Sequence, residues 1–275
     1  MKKIPILPAV AVFIFIITVP AFPQAGDALF IADDRDDRLT ALQSTITIKE
    51  IDADEFWSIY HQYTQERPVT ASHTYFSESA DSIDAHSCVN EILKSQLANL
   101  SLKRQYFDKI NESLNGTLAL QFLQSEALLD LIVKSQSYEN KSWKQPQWRP
   151  EMMEDADVKM FAMEKSLALT KEQALRFRSL FVEFEFDYSR IVGHRLAWFE
   201  QYVEDITDLT PAQCKKLGKE FLTMQQNELR LLEKMFKSMH EAFGDEVALT
   251  YMALEDYFTM AAKLRTWDIH LLASR

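Results

Sequence analysis

The sequence predicts an all-α fold built as two tandem modules of about three helices each, with a long middle helix in each module. Three observations predict it. Only 5 of the 275 residues are glycine, against a usual share of about 7%, and tight turns, bulges and phosphate-cradling loops depend on glycine. Apolar residues recur at alternating steps of three and four, the period of a helix face. Caps, aromatics and glycines also return in the same order in the two halves, the mark of a duplication.

Residues 1–25 read as a signal peptide. Lys2 and Lys3 precede an apolar run from Ile4 to Val19, and small residues offer cleavage after Ala21 or Ala25. No cysteine follows to take a lipid, and the run is short for a spanning helix. The expected product is an exported, periplasmic protein with no stable membrane insertion. Residues 26–45, with Asp33, Asp34, Asp36 and Asp37, read as a solvated acidic arm. They lack the spacing and glycine of a calcium loop.

The first module is expected over 46–136. Ile48 precedes a helix carrying Phe56, Ile59, Tyr60 and Tyr63, which Pro68 closes. A long helix follows from about Asp81 to Leu114. Gly116 then fits a left-handed cap, with Thr117 opening a last helix that carries Phe122 and Glu126. Residues 137–151 (SYENKSWKQPQWRPE) break the periodicity with Pro146 and Pro150 and are expected to form the linker.

The second module is expected over 152–275. Phe177, Phe181, Phe184, Tyr188, Ile191, Arg195, Trp198 and Tyr202 form one stripe, broken only by Arg195. Leu217, Phe221, Met224, Leu231 and Met235 form another, broken by Glu228 on the middle helix from Thr210 to Phe243. Gly244 and Asp245 repeat the cap, and Tyr251 and Glu255 repeat the spacing of Phe122 and Glu126. Core packing is the expected use of these aromatics and methionines.

The net charge is −11, and loss of the signal takes 30 basic residues to 28 and the charge to −13. No basic patch stands out, which argues against nucleic acid. Cys88 and Cys214 could form one disulfide in an oxidising compartment or remain two buried thiols. Four sequons, at Asn99, Asn111, Asn115 and Asn140, read as chance. His61, His73, His86, His194, His240 and His270 are scattered, without metal-ligand spacing, and Met235, Met239 and His240 read as core rather than a soft-metal site. Glu183, Glu185 and Asp187 read as a solvated face. No catalytic motif, cofactor loop or metal site emerges, so an enzyme is not expected.

One motif occurs twice, as Leu169-Thr170-Lys-Glu-Gln173 and Leu209-Thr210-Pro-Ala-Gln213. In each, the threonine hydroxyl can accept from the N3 amide while the glutamine reaches back to the N-cap amide, and the leucine staples from outside. Pro211 suits the first helical position. The motif is structural. Two such boxes in an exported, helical, glycine-poor chain resemble the LTxxQ family of periplasmic proteins typified by Spy and CpxP, over roughly residues 46–270. Glu55 to Tyr60 resembles the first-helix aromatic run of some relatives, and Leu118 to Glu126 the final helix. Ile48-Lys-Glu-Ile-Asp52 has lost the threonine and glutamine, so the first module is divergent.

The resemblance implies an ATP-independent chaperone that holds partly unfolded clients on a helical cradle. It also implies two alternatives: an envelope-stress adaptor docking on a signalling protein's periplasmic domain, and, more weakly, a metal-responsive sensor. Family members pair as single modules, so two modules in one chain imply a monomeric pseudo-dimer or a homodimer.

Overall fold

The computed structural model describes residues 38–40, 42, 43, 46, 48–68, 85–139, 155–202 and 209–273. The signal segment, the four arm aspartates, Pro146 and Pro150 lie outside the described residues. Every long element among those described is a helix: α1 (Glu50–Glu66), α2 (Ala85–Ser113), α3 (Gly116–Glu139), α4 (Ala156–Ser166), α5 (Lys171–Tyr202), α6 (Pro211–Phe243) and α7 (Asp245–Ala273). The all-α expectation holds.

Local chemistry sets the helix ends. Arg67 is extended before Pro68, as the proline ring requires, and α1 stops there. Both capping boxes form. Thr170 N donates to Gln173 Oε1 at 3.0 Å and Gln173 N to Thr170 Oγ1 at 3.3 Å. The same two bonds at Thr210 and Gln213 measure 2.9 and 3.3 Å, with Pro211 in the first turn.

The glycine caps differ from expectation. Gly116 is the first residue of α3, and Asn115 Oδ1 accepts from Leu118 N at 2.9 Å, so Asn115 does the capping expected of Thr117. Gly116 is needed for close approach instead, since a Cβ there would lie 2.3 Å from Cys214 Cβ. Gly244 has φ 84° but ψ −179°, outside the left-handed helical region. Asp245 opens α7 rather than capping it.

Two apolar cores run through the bundle. The first joins Leu42 and Ile46, α1, the second half of α2, α3 and the first half of α6, with Trp198 of α5. The second joins Val89, Ile92 and Leu93 of α2 with α4, α5, the second half of α6 and α7. The two long helices are antiparallel, for His86 near the start of α2 stands 5.8 Å from Phe236 near the end of α6. Further along, a Cβ on Gly218 of α6 would lie 2.1 Å from the Phe107 ring of α2. Each long helix therefore serves one core with each of its halves. The expected boundary divides the sequence but does not divide the cores.

Two further expectations are corrected. The end of the acidic arm is not solvated: Arg38 is 1% exposed and Leu42 fully buried, because they lead into the first core as Lys159 and Met163 of α4 lead into the second. The start of the linker is helix, since α3 runs on through Glu139 and buries Tyr138, whose hydroxyl donates to Asp256 Oδ2 at 2.7 Å. The stretch Gly116–Ser135 is apolar enough to cross a membrane by length and composition, and more than half of it is buried here among α1, α2, α6 and α7.

Candidate functional site

Glu126 of α3 is wholly buried in the first core. Tyr60 and Tyr63 of α1 donate their hydroxyls to it at 2.8 and 2.7 Å, and Arg38 donates at 2.8 Å. One turn on, Asp130 accepts from Arg38 at 2.8 Å, Arg67 at 3.1 Å and Lys103 at 2.5 Å. Burial alone would push both carboxyls up, but the three cations outweigh it and hold both below the ordinary carboxylate range. Burial and the Glu126 charge push both tyrosines far up, so they stay neutral donors.

The second core carries a leaner counterpart. Glu255 of α7 accepts from Lys159 of α4 at 2.7 Å and from Thr259 at 3.1 Å. Lys159 also bonds Glu185 at 2.5 Å, and its ammonium lies over the Phe181 and Tyr188 rings. One lysine serves two carboxylates, so burial wins and the Glu255 carboxyl is pushed up. Glu185 is thus not on the solvated face expected of it. Glu183 and Asp187 are on that face, against Lys234.

The two residues that interrupt the apolar stripes meet. Arg195 of α5 is 3.5 Å from Glu228 of α6, and Lys263 of α7 is 2.5 Å from the other oxygen of that carboxylate. Beside them Lys134 of α3 pairs with Asp256. These groups border two adjoining cavities of about 150 and 170 Å³ between the halves.

Outside, α5 presents an apolar face. Leu175, Val182 and Phe186 are 66%, 61% and 66% exposed, at helical spacings of seven and four. Phe161 of α4, also exposed, lies beneath the Arg178 guanidinium, one turn from both Leu175 and Val182.

The remaining candidates divide clearly. Leu169 packs on the second core and Leu209 on the first, each beside its box. Cys88 and Cys214 are free thiols beside different cores, so the disulfide is not made. Burial pushes both thiols up. Met235 and Met239 are core, while His240 Nδ1 stands 2.6 Å from Asp245. No group of three His, Cys, Asp or Glu side chains among the described residues could hold a metal. Asn99 is buried against Tyr63, which suits no glycan.

Sequence reasoning missed the buried ion networks. Glu126 and Glu255 mark matching positions of two apolar helices, and charges set among apolar residues there are the signal of buried pairs. The architecture defines an all-α bundle with two interlocked cores. No family model, curated protein or solved structure matches the chain.

Proposed function

We propose that this chain is an exported, ATP-independent chaperone of the LTxxQ type, acting in the periplasm without catalysis. The observation that carries the reading is the outward face of α5. Large apolar side chains at Leu175, Val182 and Phe186 stand in solvent along a helix, where folding alone gives no reason for them. Such a face offers adaptable contact to partly unfolded chains. Exposed Glu172 and Glu183 flank it, as do exposed Lys171 and Arg190, so the face is mixed in charge, and it is the acidic net charge of the chain that favours basic or neutral clients. The two capping boxes and the helix order support the family reading.

The test is aggregation suppression by the purified mature chain, without nucleotide, with one basic and one acidic model client. Suppression at near-stoichiometric ratios, better for the basic client, is the expected result. Val182→Ser with Phe186→Ser should lose most of it while leaving the helical circular dichroism signal unchanged. No suppression of either client at any ratio would overturn the holdase reading and move the weight to a single docking partner, the adaptor role.

A further inference from the structure

The paired cavities between the halves lie where the repeat brings matching residues together. They share Gln96 and Gln225, and Lys134 and Lys263, each pair 129 positions apart, together with Leu131 and Glu228. Gln96, Leu131, Lys134, Gln225 and Lys263 are only partly buried, so the space reaches solvent. About 150 Å³ is enough for a molecule of roughly six heavy atoms, the size of benzene.

The charges there do not cancel. Lys134, Lys263 and Arg195 face Glu228 and Asp256. Lys103 also borders the space, but its partner Asp130 already serves Arg38 and Arg67. Cations thus outnumber carboxylates at the heart of an acidic protein. Burial pushes the Lys263 ammonium down despite its contact with Glu228, so an added anion would relieve it. The Gln96 Oε1 atom is buried and has no hydrogen-bond partner. An orphan acceptor of this kind calls for a donor.

We propose that this cavity binds a small carboxylic acid bearing a hydroxyl or amino group beside the carboxylate. The carboxylate sits against the ammonium groups of Lys134 and Lys263, and the Gln96 amide turns to present its buried Oε1 to the adjacent donor. The Leu131 side chain bounds the short carbon chain.

The test is calorimetric titration of the purified mature chain with lactate and with alanine. Propionamide, which lacks both the charge and the adjacent donor, serves as the neutral control, and inorganic phosphate as a general anion. Saturable binding of lactate or alanine with Kd of about 1 mM or tighter, and none of propionamide, is expected. Lys263→Met combined with Glu228→Gln removes both charges of that pair, leaves Arg195 an amide oxygen to bond, and should weaken binding about tenfold or more. Gln96→Leu keeps every charge and should weaken it about threefold or more, which keeps the test intact if the double variant fails to fold. Four results would overturn the proposal: no heat from either acid, equal binding of propionamide, equal binding of phosphate, or unchanged affinity in the folded variants.

Discussion

Glu126 and Glu255 occupy matching places in the two halves, and their surroundings are opposite. Glu126 has two tyrosine hydroxyls and Arg38, with Arg67 and Lys103 one turn away. At the positions matching Tyr60 and Tyr63 the second half has Phe181 and Phe184, which donate nothing. At the position matching Arg67 it has Tyr188, and Thr64 is replaced by the acid Glu185. One carboxyl is consequently held down and the other pushed up. A buried charge is tolerated only as far as its partners go. The first half is organised around a satisfied ion, and the second around a carboxylate that shares its one cation. Outside, the contrast reverses. Positions 54, 61 and 65 of α1 are Asp, His and Gln, whereas their counterparts on α5 are Leu175, Val182 and Phe186. The half with the richer polar core has the more polar face, broken by Ile51 at 89% exposure near the start of α1, and the half with the leaner one carries the apolar face proposed for clients.

The largest test of this contrast is Glu126→Gln. It takes the Glu126 charge from buried Arg38 and should cost about 3–5 kcal/mol, read by urea unfolding at pH 7. Glu255→Gln leaves Lys159 with Glu185 and should change stability by less than about 1 kcal/mol. Equal losses would show that the two networks are equivalent after all. The pH dependence should differ in sign. Glu126 and Asp130 have depressed values, so their contribution is present at neutral pH and is lost as the pH falls through those values. Glu255 has a raised value, so its charge is a burden at neutral pH, and protonation as the pH falls through that value relieves it. Carboxyl carbon NMR should show Glu255 titrating at higher pH than Glu126.

The long helices and the two capping boxes were legible in the sequence because their chemistry is local, whereas the two glycine caps were not. The stripe from Phe177 to Tyr202 and the boxes at Thr170 and Thr210 depend on residues within a turn or two. The networks were not legible, because Arg38 meets Glu126 across 88 positions and Lys159 meets Glu255 across 96. Arg38 follows Asp33, Asp34, Asp36 and Asp37 in the sequence, and these acidic neighbours conceal its burial. Arg195 and Glu228 were each visible as a break in a stripe, and opposite charges breaking two stripes was the available hint that they meet.

The crossing of the long helices gives a second test. Gly218 leaves room for the Phe107 ring, whereas the matching position on α2 is Val89 and the matching ring is Phe236. Gly218→Ala should cost about 1–3 kcal/mol by overpacking, measured by thermal unfolding. Phe107→Leu in the same chain should recover part of that loss. If Gly218→Ala proved neutral, the two crossings would be equally slack, and the asymmetry would be confined to the ion networks.

The smallest effects concern how each half starts its aromatic helix. In the second half Thr170 and Gln173 close a box, and Thr170→Ala should cost about 1 kcal/mol. In the first half the N-cap is Lys49, whose side chain makes no capping bond and whose charge faces the positive end of α1. Asp52 already sits in the first turn, where its charge suits the helix dipole. The Asp52 amide already donates to the Lys49 carbonyl at 2.9 Å, so Lys49→Thr should add a second acceptor at this end and remove the opposing charge, raising stability by about 0.5–1 kcal/mol. A gain of that size in urea unfolding would mean that the first half lacks the box but has the backbone geometry for one. No gain would mean that the Lys49 backbone, though extended like that of Thr210 (ψ 143° and 154°), cannot bring a hydroxyl to the N3 amide. The divergence of the first half would then reach from its side chains into its chain path.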